Sequence, residues 1–328
     1  MIIVTGGAGF IGSNLVAGLE EGGYGPLVVC DKAGAGDNGK TIAKRKLEAV
    51  IEPDMLFPFL ETHRSDMQAI FHMGAISSTM ETDASLFAHN NYRLSLDLWH
   101  WCARYGVRFI YASSAATYGD GRLGFDDDSA KQALAALRPL NLYGRSKHLF
   151  DRRVAAMLAK GVAQPPQWAG LKFFNVYGPN EYHKGNQKSV IATAYPVAAA
   201  GKPVRLFKSH HPDYADGGQL RDFVWVGDCV DVILWLLRHE RAIGLFNVGT
   251  GKARSFEDLA KALFLALGRT PKIEYIDMPE SIRKRYQYFT EARMERLRAA
   301  GFSQPPTSLE DGVASYVHDY LKQENPYR

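Results

Sequence analysis

The feature that most constrains this chain is a glycine-rich turn close to its first residue. Gly7-Ala8-Gly9-Phe10-Ile11-Gly12 matches the pattern G-x-G-x-x-G, and Gly6 adds a second, overlapping spacing. The turn follows an apolar run at 1–5 and precedes a segment with helical spacing at 12–21. In this context the glycines permit a tight turn and the close approach of a pyrophosphate, which N–H groups at the helix N-terminus can bind. The pattern therefore predicts a dinucleotide site.

Short apolar runs alternate with helical segments over the first half of the chain. Apolar runs of strand length occupy residues 27–30, 69–72, 108–113 and 171–176. Segments with helical spacing occupy residues 12–21, 91–105 and 143–160. This alternation is typical of a parallel sheet covered by helices on both faces. Further runs at 223–226 and 245–248 predict late strands that return to the same sheet.

The predicted fold is α/β, a Rossmann-type doubly wound parallel sheet with a smaller, interleaved α/β substrate lobe. Residues 1–175, with about 221–250, are expected to form the dinucleotide-binding domain. Residues from about 176 to 220 and from 251 to 328 are expected to form the lobe. Trp99, Trp101 and Trp235 lie in apolar helical patterns and are predicted to be core residues.

Composition excludes several classes of protein. The 328 residues are 46% hydrophobic and 23% charged, which is not the usage of a disordered or low-complexity chain. The net charge of +4 is scattered, so nucleic-acid binding is not expected. Three widely separated cysteines predict neither a disulfide framework nor a metal site, and they favour a reducing compartment. With no apolar run of spanning length, we expect a cytoplasmic protein without membrane contact.

A tyrosine and a lysine four residues apart suggest catalysis. Tyr143 and Lys147 are expected on one face of a helix, where the ammonium would favour the phenolate form of the tyrosine. Upstream, Ser113 and Ser114 end a predicted strand, at the edge where open α/β sheets bind ligands. A hydroxyl at Ser114 could bind the oxygen that is oxidised. Together these residues predict a general base with its supporting groups.

The choice between NAD and NADP depends on the end of the second strand. Asp31 stands nineteen residues after Gly12, where an acid can accept hydrogen bonds from the adenosine ribose of NAD. Lys32 and Lys40 could instead accommodate the 2′-phosphate of NADP. We favour NADP, with NAD as the alternative.

These motifs together resemble the extended short-chain dehydrogenase/reductases that act on nucleotide sugars. The resemblance rests on the glycine-rich turn, the Ser113-Ser114 strand end, Tyr143-x-x-x-Lys147 and Arg221-Asp-Phe-Val. Within that group the chain most resembles the family of ADP-heptose 6-epimerases. The more specific segments are FNVYGP at 174–179, HKG at 183–185 and RYQ at 285–287. Matching segments run from end to end of the chain.

The resemblance implies a reaction on ADP-D-glycero-β-D-manno-heptose, a precursor of the lipopolysaccharide inner core. NADP would oxidise the C6″ hydroxyl to a transient ketone and then reduce its other face, giving the L-glycero epimer. Two faces need two acid/base groups. The resemblance assigns these roles to Tyr143 and Lys184. It also implies one tightly bound NADP per subunit and a homo-oligomer, often a pentamer.

The same resemblance implies which residues contact the two ligands. Expected cofactor contacts beyond the glycines are Phe10, Ile11, Asp31, Lys32, Lys40, Met73, Gly74, Ala75, Ile76, Ser77, Asn90, Lys147, Val176 and Lys184. Expected substrate contacts are Asn175, Asn186, Thr193, Phe207, Lys208, Ser209, His210, Arg221 and Tyr286. Arg221 can fork onto diphosphate oxygens, although an ion pair with Asp222 is the alternative.

Several positions depart from the family pattern. Pro53 stands near a cofactor-contacting lysine of the family, Asn186 replaces a serine, and Thr193 stands where the family can have a histidine. The loop at 208–219 is longer than in the family and borders the expected sugar site. A UDP-sugar 4-epimerase is therefore one alternative, and a non-catalytic dinucleotide-binding regulator is another. A dehydratase is disfavoured, because Ala115-Ala116 replaces the Asp-Glu pair expected after the strand-end serine.

Overall fold

The computed structural model describes residues 1–32, 37–283 and 286–328, leaving aside the side chains of residues 37, 38, 186 and 281. The strands are β1 (Ile2–Thr5), β2 (Leu27–Cys30), β3 (Ala49–Ile51), β4 (Ala69–His72), β5 (Arg108–Ser114), β6 (Trp168–Phe173), β7 (Asn175–Tyr177), β8 (Val204–Phe207), β9 (Leu220–Arg221), β10 (Phe223–Trp225), β11 (Gly244–Val248), β12 (Arg254–Ser255) and β13 (Ile273–Ile276). The α-helices are α1 (Phe10–Glu21), α2 (Asp37–Ile42), α3 (Leu56–Thr62), α4 (Ala84–Phe87), α5 (Leu94–Tyr105), α6 (Lys131–Ala136), α7 (Leu142–Leu158), α8 (Val190–Ala199), α9 (Val226–Arg238), α10 (Phe256–Ala266), α11 (Glu280–Arg283), α12 (Glu295–Ala299) and α13 (Leu309–Ser315).

Seven parallel strands form the central sheet, in the order β3-β2-β1-β4-β5-β6-β11. The strand order reverses between β1 and β4, which places a crevice at their carboxyl ends. The central strands are buried on both faces, as their continuous apolar sequences require. The predicted Rossmann-type, doubly wound sheet is confirmed.

Individual strands match the sequence to different degrees. The predicted strands at 27–30 and 69–72 are confirmed without change, and 245–248 returns to the sheet beside β6 as expected. The prediction for 223–226 is wrong, because β10 pairs with β7 in a separate two-stranded sheet. The run at 171–176 is likewise divided between β6 and β7. An apolar sequence predicts a buried strand but not its partner.

The apolar side chains form two clusters. The larger one surrounds the central sheet and includes Trp99, Trp101 and Trp235, which confirms these residues as core. The smaller cluster joins α8, α10 and α13 to the two-stranded sheet of β8 and β13. Its residues include Ile191, Leu263 and Val313.

Asp127 is buried although it belongs to a run of three aspartates at 126–128. It is 3% exposed, and its carboxylate accepts the backbone N–H of Asn247 at 2.8 Å. Arg296 donates to its carbonyl oxygen at 3.2 Å. The carboxylate therefore ties the turn before α6 to the edge strand β11. Among the described residues, no helix combines the length and apolar character needed to span a bilayer.

Candidate active site

The glycine-rich turn leaves no room for side chains. Gly6 has a φ of 65°, and a Cβ atom there would overlap the backbone of Gly74, which follows β4. A Cβ atom on Gly12 would lie 2.8 Å from the carbonyl carbon of Gly6. The first turn of α1, which begins after Gly9, has no capping side chain. Its backbone N–H groups can therefore bind a pyrophosphate, so the turn fits a dinucleotide.

Asp31 holds the turn from the end of β2. Its carboxylate accepts N–H groups from Ala8 at 2.9 Å and from Lys32 at 2.8 Å. Lys32 is exposed beside it, and Lys40 lies on α2. The carboxylate is thus attached to the pyrophosphate-binding turn, while the two lysines provide positive charge on the same side of the sheet.

The segment at 73–77 is held by Asn91. The Asn91 carboxamide accepts the Ile76 N–H at 2.8 Å and donates to the Ile76 carbonyl at 2.9 Å. It also donates to the Ser146 hydroxyl, which in turn donates to the carbonyl of Tyr143 at 2.7 Å. The expected cofactor contact Asn90 is half-buried, and its amide donates to the Leu86 carbonyl. Asn91, which the sequence analysis did not single out, thus joins the 73–77 segment to α7.

A second buried chain of hydrogen bonds runs beneath this segment. Ser95 donates to the Asn91 carbonyl at 2.6 Å, so it accepts from Nε2 of His72 at 3.0 Å. The other ring nitrogen of His72 accepts from Thr5 at 2.7 Å. Burial, and then the positive charge of Lys147, lower the pKa of His72 to about 3. The neutral ring connects β1, β4 and α5.

Tyr143, Lys147 and Ser114 come together as the sequence predicts. Asn141 caps the N-terminus of α7, which carries Tyr143 and Lys147 one turn apart. Tyr143 hydrogen-bonds Ser114 at the end of β5, and burial raises the pKa of Tyr143 more than this bond lowers it. Burial lowers the pKa of Lys147 to about 8, while Asp151 opposes that shift. The phenol therefore needs a nearby cation to ionise, and Lys147 is the cation that α7 provides.

Lys184 approaches the glycine-rich turn from a segment that is separate from α7. It belongs to a short helical segment, Tyr182–Gln187, and its ammonium is 5.3 Å from the centre of the Phe10 ring. Burial lowers the pKa of Lys184, and Glu181 partly opposes this. The Glu181 carboxylate accepts the Ser189 hydroxyl at 2.7 Å and so fixes the segment. A partly desolvated ammonium thus contacts the glycine-rich turn.

Arg221 is a buried cation whose expected alternative partner is occupied. The side chain is 8% exposed, and among the described residues no carboxylate lies within ion-pair distance of it. Asp222 instead accepts from the backbone of Thr250, Gly251 and Ala292 and from the Thr250 hydroxyl. The alternative prediction, an ion pair between Arg221 and Asp222, is therefore wrong. The guanidinium donates to the Leu220 carbonyl at 2.8 Å and packs 5.3 Å from the Tyr286 ring, so its other N–H groups can bind an anionic ligand.

The other expected substrate residues lie on separate elements and have partners of their own. Lys208 pairs with Asp277 at 3.5 Å, Ser209 donates to the His211 carbonyl, and the His210 N–H donates to the Tyr288 hydroxyl. Tyr288 also contacts the rings of His211, Tyr214 and Tyr286, so the long loop packs against the Tyr286 segment. The remaining substrate positions are the half-buried Phe207, the exposed Asn175 and Thr193, and Asn186, whose side chain lies outside the described residues. The expected cofactor contact Val176 is half-buried.

Comparison with known proteins places the chain in context. The model of the NAD dependent epimerase/dehydratase family matches residues 2–249. An ADP-L-glycero-D-manno-heptose-6-epimerase of Nitratidesulfovibrio vulgaris strain DP4 is 50% identical, with all of both chains covered. The structure of the Helicobacter pylori enzyme of that name superposes with a TM-score of 0.77 at 29% identity, covering 96% of this chain and 94% of that one. A Thermus thermophilus UDP-glucose 4-epimerase in complex with NAD gives a TM-score of 0.73 at 25% identity, covering 96% and 97%.

Proposed function

This chain belongs to the NAD dependent epimerase/dehydratase family, and within it to the ADP-L-glycero-D-manno-heptose-6-epimerases. From that membership we propose that it interconverts ADP-D-glycero-β-D-manno-heptose and ADP-L-glycero-β-D-manno-heptose, in the supply of lipopolysaccharide inner-core precursors. It is an isomerase, so the substrate leaves with the oxidation state it brought.

One observation carries the two-base chemistry that this epimerisation requires. Tyr143 and Lys184 are both proton-transfer groups, and they reach the site from different elements. Tyr143 hydrogen-bonds Ser114 at the sheet edge, whereas Lys184 contacts Phe10 in the glycine-rich turn. Inverting a carbon through a ketone requires proton transfer at oxygen on each pass, with the carbon presented by opposite faces. Because they come from separate elements, Tyr143 and Lys184 can serve the two orientations of the ketone.

The Tyr143 side of the site performs the first proton transfer. Ser114 binds the substrate hydroxyl and orients it toward the Tyr143 oxygen, which takes the proton. Lys147 stabilises the phenolate and donates to the nicotinamide ribose. A bound nicotinamide cofactor supplies the reversible oxidation of the carbon. On the other side, Lys184 exchanges a proton with the same oxygen once the ketone has turned over, because burial keeps its pKa below the usual lysine value.

Arg221 anchors the nucleotide end of the substrate. Burial lowers the pKa of Arg221, yet a guanidinium retains its charge at neutral pH, so a buried one gains from an anion. A diphosphate would offer oxygens for both edges of the guanidinium. Holding the substrate at the diphosphate leaves the heptose free to rotate its reacting end, which the inversion needs.

The cofactor is NADP in this proposal, and NAD is the alternative. The preference is supported by Lys32 and Lys40, which lie near the end of β2 and can pair with a 2′-phosphate. Mass spectrometry of the nucleotide released from the purified enzyme tests it. Recovery of NADP, at about one per subunit, supports the preference, and recovery of NAD alone would reverse it.

Assembly and location complete the proposal. We place the enzyme in the cytoplasm, which the odd number and wide separation of the cysteines support. The family resemblance supports a homo-oligomer, with a pentamer as the expected form. Light scattering coupled to size exclusion tests this directly, and a monomeric mass would contradict it.

The activity is tested by giving purified enzyme either pure heptose epimer without added cofactor. Anion-exchange separation of the products should give the same epimer mixture from both starting points, because the cofactor remains bound. UDP-galactose is run in parallel as the competing substrate. Conversion of UDP-galactose alone would replace the heptose assignment with a UDP-sugar 4-epimerase. Cofactor binding with no turnover of either would favour a non-catalytic regulator.

A further inference from the structure

A buried ion pair links the helix that carries Lys147 to the central sheet. Asp151 stands one helical turn after Lys147 on α7, and Lys172 comes from β6. The Lys172 ammonium is 2.9 Å from the Asp151 carboxylate, and both side chains are fully buried. Lys172 also donates to the Thr117 hydroxyl at 2.7 Å and lies 4.9 Å from the Tyr118 ring. These contacts join α7 to β6 and to the turn that follows β5.

The strand that carries the catalytic serine also contacts this pair. Ser113, adjacent to Ser114, donates to Asp151 at 2.8 Å, and Tyr111 donates to the other carboxylate oxygen at 3.0 Å. Neighbouring residues of a strand point to opposite faces, so Ser114 faces Tyr143 while Ser113 faces Asp151. The carboxylate thus connects the serine strand with the helix that bears Tyr143 and Lys147.

We propose that the Asp151–Lys172 ion pair is a positioning element of the catalytic site, which fixes α7 against β5 and β6 and sets the charge balance around Lys147. Buried pairs of this kind rarely add stability, since desolvation consumes most of their attraction. Their value lies in specifying one geometry and one local charge. The inference rests on the proposed function, because it assumes that the Lys147 ammonium supports the Tyr143 phenolate.

Several titratable residues surround the pair. Those nearest to it are Tyr143, His148, His72, Tyr111 and Tyr118, and the charges of Asp126, Asp127, Arg138 and Arg152 act on Tyr118 or His148. Burial lowers the pKa of His72 to about 3 and of His148 to about 4, and it raises the pKa of both Tyr111 and Tyr118. Arg93 and Lys131, on the helical segments outside α7, are exposed and screened by solvent. Asp151 is therefore the member of the pair that acts directly on Lys147.

The two partners act on Lys147 with opposite signs. Asp151 attracts the ammonium and holds the Lys147 pKa up. Since Lys172 is paired with the same carboxylate, we expect its positive charge to offset part of that attraction. Lys184 has Glu181 as its charged neighbour and shares no described contact with the pair. The alkaline limb of the pH–rate profile, where Lys147 loses its proton, should therefore respond to each partner separately.

The test measures epimerisation rates against pH for Asp151→Asn and Lys172→Gln, which keep hydrogen-bonding groups while removing charge. We expect the alkaline limb to move about one pH unit lower in Asp151→Asn and about one unit higher in Lys172→Gln. The double variant should return close to the wild-type profile. Two results would contradict the proposal and leave the ion pair with a packing role only. In the first, both variants lose rate equally and their alkaline limbs do not move. In the second, the alkaline limbs of both variants move in the same direction.

A milder variant keeps the proposal testable if the single charge removals do not fold. Tyr111→Phe removes one donor from Asp151 without leaving a charge alone, and it should move the limb upward by a few tenths of a unit. An unmoved limb in a folded Tyr111→Phe protein would contradict the proposal. Lysine ¹³Cε NMR, assigned with Lys147→Arg, follows the same ammonium without substrate. This readout separates failure of the ion-pair inference from failure of the heptose assignment.

Discussion

The two sides of the active site are constructed differently. On the cofactor side, the glycine-rich turn, Asp31, the 73–77 segment and Ser114 all follow strands of one parallel sheet. On the substrate side, Arg221, Tyr286 and the 207–210 segment come from short strands and loops that meet through aromatic contacts. A continuous sheet places its ligand residues by regular geometry, whereas the substrate side depends on contacts between segments distant in sequence. We expect substitutions on the two sides to affect different kinetic constants.

The largest effect is expected where the two sides meet. Tyr143→Phe should lower kcat by about 10³-fold, since it removes the proton acceptor while keeping the ring. The amount of bound cofactor should not change. Tyr24→Phe, a half-buried tyrosine beyond α1, is the matched control. Turnover within a few-fold of wild type would remove Tyr143 from the chemistry.

Arg221→Gln should affect the substrate side alone. Loss of a charge-assisted contact to a diphosphate predicts a KM about 10- to 100-fold higher, with cofactor content unchanged. Arg205→Gln is the control, since that arginine is exposed on β8 and pairs with Glu274 at 3.1 Å. If both variants raise KM equally, or if Arg221→Gln releases the cofactor, the two sides are not separate.

Gly12→Ala should affect the cofactor side alone. The added methyl group would overlap the Gly6 carbonyl, and relieving the overlap should weaken cofactor binding by about 10- to 100-fold. ADP binding at the substrate side should persist, which calorimetry on the cofactor-stripped protein can measure. Full cofactor retention in this variant would show that the turn adopts another conformation when loaded.

His72 gives the smallest expected effect, on stability and not on turnover. Its folded pKa of about 3 lies below the unfolded value, so the unfolded state binds the extra proton first. The contribution of the neutral His72 ring to the free energy of unfolding is therefore fully present above about pH 6.5 and is lost as the pH falls toward 3. Between pH 6 and 4 this group should change the free energy of unfolding by about 1.4 kcal/mol per pH unit.

Urea unfolding at several pH values measures the slope for the wild type and for His72→Gln, which should show a smaller one. His89→Gln, exposed in the segment before α5, is the control. An identical slope in wild type and His72→Gln would mean that the His72 ring is protonated in the folded protein.

The sequence predicts the cofactor side well because local patterns determine it. Apolar runs ending in Gly, Asp or Ser identify strand ends, and a parallel sheet brings those ends to one edge. The substrate side is harder to predict from the sequence. Strand β10 pairs with β7 outside the central sheet, and the apolar sequence at 223–226 does not indicate which strand is its partner.

Two contacts of single residues also have definite causes. Asn90 stays an expected cofactor contact, and its neighbour Asn91 holds the 73–77 segment. Residues Ala88–Arg93 form a π-helix, whose wider turn changes which side chains face the interior. Asn91 is therefore directed inward. Asp127 belongs to an acidic run that a reader of the sequence would place in solvent. It is buried because its carboxylate accepts the backbone N–H of Asn247 on β11. Neither contact has a signal in local sequence.

The central claim is that Tyr143 and Lys184 address one carbon from its two faces. A crystal structure of Tyr143→Phe with bound cofactor and ADP-D-glycero-β-D-manno-heptose measures this directly. We predict that the edge of the substituted ring and the Lys184 ammonium lie on opposite sides of C6″, with the ammonium on the side to which the 6″-oxygen turns after oxidation. A Lys184 side chain that lies on the same side as that ring, or that contacts only phosphate, would contradict the account.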